Sequence, residues 1–104
     1  MIICVGSVVA DHISSIDFFP KKPIKVLANN IDKRLGGAAA VAALTVKKFD
    51  GEVEFVGRIG DDDASAFIKK ELNSNKLKFA KSLILKNTSS SQSYIFEDKK
   101  ANVY

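Results

Sequence analysis

Apolar and polar positions along the 104 residues change period several times, and each change predicts an element. Ile2 to Val5 is a short apolar run that stops at Gly6, the pattern of a buried strand meeting a turn. Ile13, Ile16 and Phe18 predict a second, more exposed strand over His12–Phe19. The Pro20-Lys21-Lys22-Pro23 stretch is a turn, because both prolines fix φ and remove a donor. Alternation resumes at Ile24, Val26 and Ala28, so Ile24–Leu35 is expected to be an exposed, bulged strand.

Gly36-Gly37 ends the alternation, and Ala38–Phe49 reads as a helix. Its first part, Ala38 to Leu44, is apolar on every side, which predicts burial on more than one face. Asp50-Gly51 closes it, with Gly51 suited to a left-handed cap. Val53–Ile59 is the next strand. Asp61, Asp62 and Asp63 then sit where carboxylates cap a helix and face its positive dipole end, over Ala64–Asn75. Ser82–Leu85 and Gln92–Glu97 are further strands separated by a polar turn at Asn87–Ser91. Asp98–Asn102 is a hairpin-like turn, and Val103-Tyr104 looks like the start of another strand. Strand, helix and strand around residues 37–59 form a βαβ unit, which implies a right-handed crossover and a parallel pair. Parallel sheets need cover on both faces. Two helices fall short of that, so the fold is expected to be α/β and incomplete at the C-terminus, one domain portion over residues 1–104.

Composition narrows the function classes. An apolar share of 46% and a charged share of 27% are ordinary for a soluble globular chain. No apolar run is long enough to cross a membrane, and the opening residues lack the basic region and cleavage site of a signal peptide. Cys4 is the only cysteine, which excludes an intrachain disulfide and fits a cytoplasmic setting. The net charge of +4 raises the question of nucleic acid. Yet only Arg34 and Arg58 are arginines, and the lysines lie in scattered pairs, as on a solvated surface, so no nucleic-acid partner is expected.

Three features are candidates for chemistry. Gly36-Gly37 is either a turn that only glycine makes or a place where backbone approaches a ligand. Asp11, just past the end of the first strand, is an ordinary turn residue or an acceptor for two neighbouring hydroxyls of a sugar. Gly57-Arg58-Ile59-Gly60-Asp61-Asp62 ends the central strand. His12, the lone histidine, has no nearby Ser or Cys partner and reads as a surface residue. Asp61 to Asp63 lacks the spacing of a calcium loop, and capping accounts for it without a metal. No Gly-x-x-x-x-Gly-Lys-Ser/Thr phosphate loop is present, and the Gly-x-Gly-x-x-Gly dinucleotide fingerprint is missing after the first strand.

Taken in order, Leu35-Gly36-Gly37-Ala38-Ala39-Ala40-Val41-Ala42-Ala43 and then Phe55-Val56-Gly57-Arg58-Ile59-Gly60-Asp61-Asp62 resemble the first signature of the ribokinase/PfkB carbohydrate kinases. Cys4-Val5-Gly6 through Asp11, Phe19-Pro20, and Thr88 to Asp98 fit the same pattern. The resemblance implies a ribokinase-like parallel sheet flanked by helices, with a small β-sheet lid built from His12–Phe19, Ile24–Leu35 and Ser82–Glu97. It implies transfer of the γ-phosphoryl group of ATP, with Mg2+, to a sugar hydroxyl by the full-length enzyme. Asp11 and the Gly36-Gly37 backbone would then bind the sugar, with Ser93 facing the same pocket, and the lid is the surface through which many relatives form homodimers. Val41 stands where the signature usually has Asn, which removes one sugar hydrogen bond. Gly57 to Asp63, Ser90-Ser91-Gln92-Ser93 and Lys25 look most like the sulfofructose kinases, where the corresponding Lys holds the substrate's sulfonate. The partner would then be a sugar or an anionic sugar derivative. The family's Gly-Ala-Gly-Asp motif is absent, so this chain is expected to carry no catalytic base, no metal and no bound cofactor. The competing expectation is a stand-alone sugar-binding or dimerisation module.

Overall fold

The computed structural model describes residues 1–104. It contains seven strands and two helices arranged as three small sheets. β1 (Ile2–Val5) pairs in parallel with β4 (Val53–Val56), placing Cys4 beside Phe55. β5 (Arg58–Ile59) pairs in parallel with β6 (Leu83–Ile84). The third sheet has β2 (Val9–Ser15) at its centre, antiparallel to β3 (Asn30–Gly36) and parallel to β7 (Ser91–Glu97).

Both helices share one core. Ala39, Ala40 and Ala43 of α1 (Ala38–Lys48) meet Val53 and Phe55 of β4, while Ala64, Ile68 and Leu72 of α2 (Asp63–Ser74) lie in the same buried cluster with Ile59. The 64, 68, 72 spacing puts one apolar stripe along α2, as a helix packed on one side requires. Only one face of α1 is buried, contrary to its all-round apolar sequence, because Val41, Ala42 and Thr45 point to solvent. β1 is also more open than a buried strand, since Ile2, Ile3 and Val5 are exposed.

The two helices end alike. The N–H groups of Asp50 and Gly51 return to Lys47 and Val46, and those of Lys76 and Leu77 return to Asn73 and Leu72. These are Schellman caps. The left-handed residues are Asp50 (φ 57°) and Lys76 (φ 55°), so Asp50 takes the role expected of Gly51. Gly51 instead packs closely on the Val46 side chain.

Several boundaries differ from the sequence expectations. β2 begins at Val9, so Asp11 lies inside a strand rather than past the end of one. Ile24–Ala28 has no strand partner, and β3 starts only at Asn30. The expected Val53–Ile59 strand breaks at Gly57 into β4 and β5. β6 joins the core through β5, so the Ser82–Leu85 segment does not build the lid; β2, β3 and β7 do. The parallel partner of β4 is β1, because the strand that leads into α1 belongs to the lid. The 98–104 turn forms as expected, with Val103 bridging back to Glu97.

Candidate functional site

In a strand, alternate side chains point to opposite faces, and directly paired residues share a face. Asp11 pairs with Arg34 on one side and Ser93 on the other. All three therefore project from one face of the lid. The Ser93 hydroxyl donates to Asp11 Oδ1 at 2.5 Å, the length of a charge-assisted O–H···O⁻ bond. Asp11 Oδ2 lies against Gly36, where a methyl group would collide with the carboxylate. Arg34 turns to Asp32 on the same strand (Nε···Oδ2 2.8 Å). Its guanidinium is thus engaged by Asp32 and makes no ion pair with Asp11.

The opposite lid face has another character. His12 stacks on Tyr94 with ring centroids 4.6 Å apart and shares a 2.8 Å hydrogen bond with Gln92. Lys33 lies over the Phe67 ring of α2 at 4.7 Å. His12 is thus a lid-surface residue on the side away from Asp11.

Gly37 joins the lid to α1. Its φ is +96°, and a Cβ there would stand 2.6 Å from the Ser7 carbonyl oxygen. No side chain within the α1 sequence caps this helix. Ser7 does so from the β1–β2 turn: its hydroxyl accepts from Ala38 N–H at 3.0 Å, and its carbonyl accepts from Ala40 N–H at 3.2 Å. Ser7 and Arg34 are the site-adjacent residues that motif reading missed. Strand parity from Gly36 points to Arg34, whereas nothing local marks Ser7 as a cap for a helix 31 residues away.

The remaining candidates lie apart. Lys25 is exposed on the irregular segment between β2 and β3, and Val41 is 46% exposed on the first turn of α1. Neither joins the Asp11–Ser93–Gly36 group by any hydrogen bond or ion pair. A cleft of about 640 Å³ opens at the C-terminal ends of β1 and β4, lined by Gly6, Ser7, Gly57, Arg58, Lys81 and Ser91 among others. Asp11, Lys25, Gly36, Gly37, Val41 and Ser93 do not line it, whereas Gly57, Arg58, Ile59 and Gly60 of the third candidate feature do.

The three consecutive aspartates have separate duties. Asp62 is the α2 N-cap, accepting from the Ser65 N–H (3.0 Å) and hydroxyl (2.6 Å). Asp61 accepts from the N–H groups of Asn87 (2.7 Å) and Thr88 (3.1 Å). Asp63 is the first residue of α2. The Asn87 and Thr88 donors hold the Asp61 carboxyl below the usual value, and the Ser65 hydroxyl and N–H do the same for Asp62. Across the chain no three His, Cys, Asp or Glu side chains gather as metal ligands. No helix is long and apolar enough to cross a membrane.

An α/β core with a separate three-stranded lid is the ribokinase class of fold. The nucleoside kinase of Methanocaldococcus jannaschii superposes with a TM-score of 0.84 at 26% identity, over 99% of this chain and 34% of its own. Ribokinase from Cryptococcus neoformans, solved with ADP, gives 0.83 at 25% identity, over 98% and 32%. In sequence, the M. jannaschii nucleoside kinase is 27% identical over 97% of this chain and 33% of its own length. Aminoimidazole riboside kinase of Salmonella typhimurium is 36% identical over 60% of this chain and 18% of its own. The model of the pfkB family carbohydrate kinases matches residues 1–103, and the chain belongs to that family. It spans about a third of the length of the nucleoside kinase that it matches.

Proposed function

We propose that this chain is the substrate-and-lid portion of an ATP-dependent carbohydrate kinase that phosphorylates a hydroxyl of a sugar or sugar derivative. The observation that carries the proposal is the Asp11 carboxylate: Ser93 holds one oxygen, Gly36 makes room for the other, and no further donor of the chain reaches it. A carboxylate accepts about four hydrogen bonds, so it has capacity for two adjacent sugar hydroxyls. Two of the relatives are named as kinases of a nucleoside and of aminoimidazole riboside, compounds that carry sugar hydroxyls, which supports a polyol ligand.

Asp11, Ser93 and the Gly36-Gly37 backbone bind and orient the sugar in this proposal. Lys25 attracts an anionic substituent where the substrate carries one, and Val41 offers no hydrogen bond to a neutral sugar. The acceptor oxygen bonds to the γ-phosphorus of ATP as the bond to ADP breaks, and the hydroxyl proton leaves to a base. The residues of this chain do not fit Mg2+, since Asp61 and Asp62 already serve backbone and hydroxyl donors. The lid is the proposed surface for homodimerisation.

ADP release by the complete protein, measured over D-ribose, D-fructose, inosine and their phosphorylated forms, tests the proposal. Asp11→Ala is expected to raise the sugar KM by about tenfold or more, as loss of a charge-assisted bond implies, while stability falls by no more than the single Ser93 bond, about 1.5 kcal/mol. Unaltered kinetics would remove Asp11 from the site. Sugar binding without ADP release would favour the stand-alone binding module. Lys25→Ala with unchanged preference between neutral and phosphorylated sugars would refute the anionic assignment.

A further inference from the structure

β7 brings Ser93 to Asp11, and the chain enters β7 from a loop that the core holds at many points. Asp61 takes the N–H groups of Asn87 and Thr88, while its own N–H donates to the Thr88 carbonyl at 2.9 Å. Two residues on, the Ser90 hydroxyl accepts from Gly60 N–H at 2.9 Å and shares a 2.7 Å bond with the Ser65 hydroxyl. The Ser90 N–H donates to Asp62 Oδ1 at 3.3 Å. Ser65 and Ser90 are both buried, at 0% and 7% exposure. Because the Ser65 hydroxyl gives its proton to Asp62, the Ser90 hydroxyl is the donor to Ser65, and the network has one consistent arrangement.

β7 starts at the next residue, Ser91, opposite Val9, and two residues later Ser93 meets Asp11. In a strand the register propagates without slack, because a one-residue slip turns every side chain to the other face. The anchor of residue 90 thus sets the place of residue 93. We infer that Ser90, held by Asp62 and Ser65 at the N-terminus of α2, is a positioning residue that fixes Ser93 against the Asp11 carboxylate. The inference rests on the proposed role of Asp11 as sugar ligand. It adds to it that the precision of the lid-side contact comes from the core turn at residues 60–62. Asp62 joins two tasks in one carboxylate, capping α2 and anchoring β7, so lid and core helix share one fixed point.

A double-mutant cycle in the complete protein tests this, using whichever of D-ribose, D-fructose and inosine the unmodified protein phosphorylates. Ser90→Ala is expected to raise KM about three- to tenfold, the worth of one hydrogen bond, with kcat nearly unchanged. In a Ser93→Ala background the same substitution should add almost nothing, because its effect passes through Ser93. Ser90→Thr, which keeps the hydroxyl, should restore KM. A Ser90→Ala effect of equal size in both backgrounds would show only general destabilisation and overturn the inference. Amide exchange supplies a readout independent of turnover: Ser91 to Tyr94 should exchange faster in Ser90→Ala while α1 stays unchanged. If no sugar is phosphorylated, the kinase proposal fails, and exchange alone decides the anchor. Unmoved β7 amides then overturn it, and a rise confined to β7 sustains it. Should Ser90→Ala not fold, Asp62→Asn, which preserves a helix cap, enters the same cycle.

Discussion

Adjacent glycines at 36 and 37 should respond to alanine in opposite ways. Gly36 has ordinary backbone geometry, and the nearest obstacles to a methyl group there are the atoms of the Asp11 carboxylate, a side chain. Asp11 relieves the collision by rotating away, which breaks its bond from Ser93. A hydrogen bond to a charged group is worth about 1.5–3 kcal/mol, and a half-exposed one lies at the low end. Against that loss, replacing glycine by alanine stabilises by about 0.4–1 kcal/mol through the unfolded chain. The net change in stability is therefore about 1 kcal/mol or less. Sugar affinity should fall much further, by about ten- to a hundredfold, because the displaced carboxylate no longer faces the ligand.

At Gly37 the obstacles are the Ser7 carbonyl oxygen at 2.6 Å and Val8 Cα at 2.7 Å, both backbone, and φ is +96°. Neither neighbour rotates away. Left-handed strain of about 1–3 kcal/mol adds to disruption of the Ser7 cap on α1. Gly37→Ala should accordingly lower stability several times more than Gly36→Ala. Urea unfolding separates the two variants by stability, and calorimetric titration with the preferred sugar separates them by affinity. Wild-type sugar affinity in Gly36→Ala, or equal destabilisation by both variants, would refute the assignment of Gly36 to the site and Gly37 to the fold.

Two further outcomes follow from the helix N-termini. Ser7→Ala removes the only side-chain acceptor at the start of α1 and should lower stability by about 0.5–2 kcal/mol in urea titration; no change would mean that water replaces the hydroxyl. Asp61 and Asp62 have folded-state values below the ordinary 3.8, so their stabilisation is complete above that pH and is lost as pH falls through the lower folded values. The Asp61→Asn, Asp62→Asn double variant should lose stability less steeply below pH 3.8, though not flatly, because Asp17, Asp32 and Asp98 are lowered too. An unaltered acid slope would refute that linkage.

Where the sequence carried a period with clear ends, it matched the structure closely. α2 is marked at one end by Asp62 and along its length by the 64, 68, 72 stripe, and it shifts by one residue at either end. The lid was harder. Ile24 to Ala28 alternates as a strand does, but alternation supplies no hydrogen-bonding partner, and these residues have none. Val8-Val9-Ala10 is a mixed run in sequence. Val8 and Ala10 are buried and Val9 less so, so β2 begins before the polar alternation that marks it. The break at Gly57 leaves β5 to pair with β6, a partner 25 residues further on that no local pattern names.

Asp11, Gly36, Gly37 and Ser93 were all readable as candidates, yet their grouping was not, and the reason is topological. Asp11 and Gly36 meet through an antiparallel pair closed by the long 16–29 segment. Ser93 arrives in parallel after the chain has passed through the whole core. A parallel pairing across 82 residues has no hairpin turn to set its register. Something else must, and the bonds from residues 60–62 to residues 87–90 are placed to do it. The Gly60-Asp61-Asp62 stretch and the serine run 89–91 looked in sequence like a helix cap and a polar turn. Each is that, and together they are also the joint that aligns the two halves of the candidate site. The contact between Asp11 and Ser93 is thus a consequence of side chains that touch neither of them, which motif reading, taken residue by residue, has no means to express.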